Sequence, residues 1–220
     1  MIQTKKDLAF YIAADRIMNG CPAKCNPMSW IKETFLIGGG KTLVIKYLYH
    51  LRRYAYFYNN HKTLLSFNSI WMLWERYKLE KLGVRLGFSI GTNSLGYGVV
   101  IPHYGTIVIN ENARIGNYAV LHTCTCVAGG DKIIGDGLYL STGSQIVGPV
   151  KLGDGVTIAA HSLVNKSFGS NVLLVGAPAS VKKEKQPIWY ESERDKKRFS
   201  NYVEQIEKER IKIYGKVNNF

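Results

Sequence analysis

Between Ile109 and Leu163 an isoleucine or leucine returns every six residues. From Ile109 the segments read INENAR, IGNYAV and LHTCTC. After a one-residue slip at Gly129-Gly130-Asp131 they continue as IGDGLY, LSTGSQ, IVGPVK, LGDGVT and IAAHSL. Four positions after the opening residue, in every segment but IGDGLY, stands a small or β-branched one: Ala113, Ala119, Thr125, Ser144, Val150, Val156 or Ser162. The pattern predicts one short strand and a turn per segment, with the first and fifth residues inward. The second position, often Gly, Asn or Asp, is expected to take the corner through positive φ or local side-chain hydrogen bonds. Three such flats close a triangular coil of about 18 residues, and no coil buries its aliphatic face alone, so coils stack into a parallel β-solenoid. An amphipathic helix would need spacings of three and four, and each interior glycine would cost it about 1 kcal/mol relative to alanine. An antiparallel sheet would show alternation with turns every 8 to 12 residues or so.

The flanks have a different texture. KKDLAFYIAADRIM, MSWIKETFL, KTLVIKYLYHLRRYAYFYNN and SIWMLWERYKLEKLG read as helices separated by glycine-rich or polar breaks. Tyr190 to Tyr214 reads as a charged helix that would cover the last coil, whose edge is otherwise open. The expected organisation is a helical region over 1–85, a solenoid over 86–180 and a helical tail over 181–220. GGGKT at 38–42 has the ending of a phosphate-binding loop, but Phe35 stands where its first glycine belongs and no strand precedes it.

Charge sharpens this division. Of the net +13, residues 1–85 carry 14 basic and 5 acidic residues, residues 86–180 carry 4 of each, and residues 181–220 carry 11 and 7. A basic flank suits nucleic acid, anionic lipid or cofactor phosphates, and charge alone does not choose among them. The helix from Lys41 interleaves Lys46, Arg52 and Arg53 with Tyr47, Tyr49, Tyr54, Tyr56, Phe57 and Tyr58. That composition fits either peripheral membrane contact or packing against the first coil. No apolar run has the roughly 18 to 20 residues of a membrane span, and the N-terminus lacks a signal-peptide pattern, so a cytoplasmic location is expected. The pairs Cys21/Cys25 and Cys124/Cys126 lack zinc-module spacing, and no metal is expected.

GVVIPHYGTIVINENARIG at 98–116 and VGAPAS at 175–180 carry a resemblance. The segment is similar to hexapeptide-repeat acyltransferases, and within them to the serine acetyltransferase-like group that includes O-acetyltransferases of capsular and other surface polysaccharides. The resemblance implies left-handed coils, a homotrimer with sites between subunits, and acetyl-CoA as co-substrate. It makes His103 the catalytic base. Imidazole suits that task, since removing a hydroxyl proton near neutral pH needs a group of matching pKa. His122, 19 residues on and so about one coil away, is a second candidate on the same corner. Glu111 is the nearest acidic residue to orient His103, and Tyr104, Thr106 and Thr123 supply neutral groups for an acceptor. The positions matching the cofactor groove are Thr142, Gly143, Ala159, Ala160 and Gly176, Ala177, Pro178 and Ala179, with Lys166 or Lys182-Lys183 for the nucleotide phosphates. His161 reads as a surface residue.

The chain departs from serine acetyltransferases at instructive places. They carry an acidic residue in the preceding coil and an aspartate just before the catalytic histidine, where this chain has Ser89 and Pro102. Their Arg-His pair after the Gly-Gly loop is replaced by Asp131-Lys132. A zwitterionic amino acid needs charged partners, so the leading expectation is a saccharide acceptor, with no nucleic-acid partner. Serine O-acetyltransferase is the enzymatic alternative, and a non-catalytic scaffold binding glycan or lipid the other. The histidine spacing of γ-class carbonic anhydrases is not apparent.

Overall fold

The computed structural model of the chain describes residues 1–24, 39–61 and 67–215. The segment MSWIKETFL and Cys25 lie outside the described residues. From Phe88 the chain winds as a parallel β-solenoid of about five turns with three flats. The first flat is β1 (Phe88–Ile90), β2 (Ile107–Ile109), β5 (Thr125–Ala128), β8 (Gln145–Val147) and β11 (Leu163–Val164). The second is β3 (Ala113–Ile115), β6 (Lys132–Ile134) and β9 (Val150–Leu152). The third is β4 (Val120–Leu121), β7 (Tyr139–Leu140), β10 (Thr157–Ile158) and β12 (Val172–Gly176), extended by the antiparallel β13 (Ala179–Glu184).

Register confirms the coil length. Ile107 pairs with Thr125, Cys126 with Gln145 and Gln145 with Leu163. The opening residues Ile109, Ile115, Leu121, Ile134, Leu140, Ile146, Leu152 and Ile158 are all buried, as is every fifth-position residue named above. The slip at Gly129-Gly130 is a one-residue insertion into the corner before β6. Lys132 there occupies the inward place held by its register partners Ala113 and Val150. Its ammonium donates to the carbonyls of Ala128, Gly129 and Gly130, and burial pushes its pKa below the usual lysine value.

One expectation about the corners is corrected. Positive φ falls on the fourth residue of a segment, as at Tyr118, Cys124, Gly137, Gly143, Gly155 and His161, rather than on the second. Second-position glycines have a packing cause instead: a Cβ on Gly135 would lie 2.2 Å from Asp154 Oδ1 and 2.7 Å from Asp154 N in the next coil. That carboxylate is in use, because Asp154 Oδ1 accepts from Asp136 N at 2.8 Å. Gly135→Ala is expected to cost about 1 to 3 kcal/mol by overpacking, measured as a shift in the urea unfolding midpoint.

The α-helices among the described residues are α1 (Lys5–Met18), α2 (Gly39–Asn60), α3 (Phe67–Leu86) and α4 (Glu193–Tyr214). Helix α1 opens on a Thr4/Asp7 capping box. An ion pair locks the helices to the first turn: Arg52 donates from Nε to Asp15 Oδ2 at 2.8 Å and from Nη1 to Leu95 O at 2.8 Å. Asp15 Oδ1 in turn accepts from Val99 N at 3.0 Å. Tyr47 and Arg52 are buried and Arg53 pairs with Glu75 of α3 at 2.5 Å, so these residues of α2 pack inward rather than forming a membrane face. Helix α4 does not cover the last coil as expected. Its Phe199 and Ile206 pack with Phe10, Ala14, Ile17 and Met18 of α1, while β13 extends the third flat.

Candidate active site

The corner between the third and first flats collects the residues that matter. In the later turns six residues separate the paired positions flanking it, Val120 to Cys126, Tyr139 to Gln145 and Thr157 to Leu163. In the first turn eight separate Val100 from Val108. This two-residue enlargement lifts Pro102, His103 and Tyr104 out of the wall, and all three are exposed. Tyr104 leans on α2, where a Cβ on Gly40 would lie 2.8 Å from the Tyr104 ring. Gly40 of GGGKT therefore admits a ring beside the site.

One coil on, His122 is half-buried with its ring 5.0 Å from that of Tyr139. Burial first, and then the nearby His103 imidazole, push His122 below the ordinary histidine pKa. The two imidazoles thus share the corner, as their spacing predicted. Between the lowered folded value and about 6.5 in the unfolded chain, the unfolded state binds more protons. Stability therefore rises with pH through that window, is fully present above it, and is lost as pH falls through it. His122→Gln is expected to shrink the difference in urea midpoint between about pH 5 and about pH 7.5.

The same corner continues through Ser141-Thr142-Gly143 and Ala159-Ala160-His161 to the β12–β13 turn at Ala177-Pro178. Ser144 N bonds Ser141 O at 3.1 Å and Ser162 N bonds Ala159 O at 3.2 Å, so each corner is a β-turn. Gly143 has φ 74, and a Cβ there would lie 2.5 Å from His161 Nδ1, so the exposed His161 ring rests on a position that only glycine leaves open. Among the described residues, the amide N–H groups of Thr123, Thr142 and Ala160, one per turn, bond no group of the chain. A row of small residues with free amides, spaced by about 4.8 Å per coil, fits an extended ligand rich in amides. Thr106 and Thr123 lie on this corner, Thr106 exposed and Thr123 half-buried. Gly176, Ala177 and Pro178 are exposed at its end, followed by exposed Lys182 and Lys183 on β13. Tyr139 was not anticipated from the sequence; its period placed it on a strand without showing that its ring meets His122.

Two expected residues lie elsewhere. Glu111 follows β2 on the corner between the first and second flats, beside Tyr54, Arg76 and Glu80. The whole of β2 separates it from His103, so it does not orient that ring within the chain, and no carboxylate of the described residues hydrogen-bonds His103. Lys166 follows β11 on that same other corner, its ammonium 5.6 Å from the Phe168 ring centroid, and is off the row that begins at His103. Among the described residues no cluster of three or more His, Cys, Asp or Glu could hold a metal ion.

No protein-family model matches the chain. It is 32% identical over 110 residues to serine acetyltransferase of Buchnera aphidicola subsp. Acyrthosiphon pisum, covering 46% of this chain and 40% of that protein. It is 27% identical over 100 residues to serine acetyltransferase of Mycobacterium tuberculosis, covering 42% of this chain and 44% of that one. The chain spans less than half the length of these relatives. The crystal structure of serine acetyltransferase from Brucella abortus strain S19 superposes with a TM-score of 0.56 at 20% identity, over 81% of this chain and 69% of that one. The same enzyme in complex with coenzyme A superposes at 0.52 and 17% identity, over 84% of each. These likenesses establish a shared fold, and the resemblance to hexapeptide-repeat acyltransferases stands.

Proposed function

We propose that the chain is an acetyl-CoA-dependent O-acetyltransferase acting at the corner between the third and first flats. One observation carries the reading: a single corner gathers the exposed His103, the half-buried His122 and the row of small residues with free amides. Acetyl-CoA supplies the acetyl thioester. His103 accepts the acceptor's hydroxyl proton as the oxygen attacks the carbonyl, and returns it to the departing sulfur. The free amides of Thr142 and Ala160 suit the pantetheine amides, and Lys182-Lys183 the nucleotide phosphates. Sites between the subunits of a homotrimer belong to this proposal.

The relatives are named for serine, and L-serine is accordingly the first acceptor to be tested. The comparisons lend a saccharide no support. A saccharide hydroxyl remains the second reading on a specific observation: Ser89 and Pro102 replace acidic residues, and Lys132 is buried on loop carbonyls where it meets no substrate carboxylate. Thiol release from acetyl-CoA, offered L-serine and a panel of simple and lipid-linked saccharides, decides. Release with serine supports the first acceptor and release with saccharides alone the second. No release with any acceptor, together with no CoA binding, leaves a scaffold.

A further inference from the structure

Helix α3 is apolar on two sides. Its inner side buries Ser69, Glu75, Leu79 and Leu86, with Glu75 held by His50 at 2.7 Å and Arg53 at 2.5 Å. On the opposite side Ile70, Leu73, Trp74, Tyr77, Lys81 and Val84 recur at three- and four-residue spacing and so share one stripe, about 21 Å long at the helical rise. Ile70 is 64% exposed, Leu73 57%, Trp74 50%, Tyr77 54% and Val84 87%. Single exposed apolar residues are ordinary, whereas a stripe of five interrupted by Lys81 alone marks a contact surface.

Charge decides what covers it. Lys78 sits 4.7 Å from the Trp74 ring centroid and Lys81 6.0 Å from that of Tyr77, with Arg85 exposed beside them. The acidic residues of the helix are engaged elsewhere, Glu75 inside and Glu80 with Arg76 at 2.7 Å. We infer that the outer stripe of α3 docks on the surface of an anionic lipid bilayer. Trp and Tyr among flanking lysines suit the headgroup boundary, where the lysine stems lie along apolar surface and the ammoniums meet phosphates. A second copy packed in parallel register on the stripe would set Lys81 against like charge. The contact is peripheral, since no helix among the described residues is long and apolar enough to cross a membrane.

The test is co-sedimentation of the full chain with vesicles of phosphatidylcholine alone and with about 30% phosphatidylglycerol. The chain is expected to bind the anionic vesicles, to release at about 0.5 M salt, and to bind at least about tenfold more weakly as Trp74→Ser/Tyr77→Ser or Lys78→Glu/Lys81→Glu, with melting unchanged. Absence of binding to anionic vesicles, or binding indifferent to both double substitutions, overturns the inference. So does a lipid-free doubling of mass that Trp74→Ser/Tyr77→Ser removes, because a second copy would then be the occupant.

Discussion

Replacing His103 by alanine is expected to lower kcat/KM by about 10²- to 10⁴-fold, the range of a lost general base, and to leave the fold intact. The second half follows from position: His103 is exposed on the enlarged corner and takes no part in the coil's packing. The first half follows from the chemistry. Without a proton acceptor the hydroxyl oxygen attacks as a neutral, weak nucleophile, whereas binding along the corner through Thr142 and Ala160 is untouched. Steady-state thiol release should therefore show a fall in kcat, with the affinity for CoA retained. A melting temperature displaced along with activity would mean that the residue is structural.

The largest expected effect on stability comes from Asp15→Ala. Arg52 and Asp15 are each about 2% exposed, and the substitution leaves a guanidinium buried with the carbonyls of Leu95 and Gly96 and the Tyr11 ring but without its carboxylate. It also strips Val99 N of its acceptor. Breaking a buried pair from one side costs about 3 to 5 kcal/mol, against a total stability of about 5 to 15 kcal/mol for a typical domain. Urea unfolding should show this loss. The double variant Asp15→Ala/Arg52→Met should recover part of it, since the uncompensated charge is then gone.

The solenoid was legible because its period is the packing itself: one inward aliphatic per flat, repeated until the register of β2, β5, β8 and β11 is set. The pairing of His103 with His122 was legible for the same reason, coil length converting 19 residues of sequence into adjacency. What escaped depends on contacts that no period encodes. The second-position glycines looked like conformational devices, and only the Asp154 carboxylate standing over Gly135 reveals them as clearances. The burial of Lys132 could not be read from the period, because a lysine inside a solenoid is not expected until the Gly129-Gly130 insertion turns three carbonyls toward it. Glu111 and Lys166 were near the right residues in sequence yet past the next strand in space. Arg52, on a helix whose composition fits either membrane contact or packing against the first coil, finds Asp15 at a separation of 37 residues. The docking of α4 on α1 joins helices from opposite ends of the chain.

The central claim, that this corner binds acetyl-CoA, is tested most directly by calorimetric titration of CoA into the wild-type chain and into Ala160→Trp. Ala160 is exposed in the row, so the substitution obstructs the corner without entering the buried core of the coils. The account requires saturable binding by the wild type and at least about tenfold weaker binding by the variant, as expected when a bulky ring fills the place of a methyl group. Binding of equal strength to both, or none to the wild type, would contradict it.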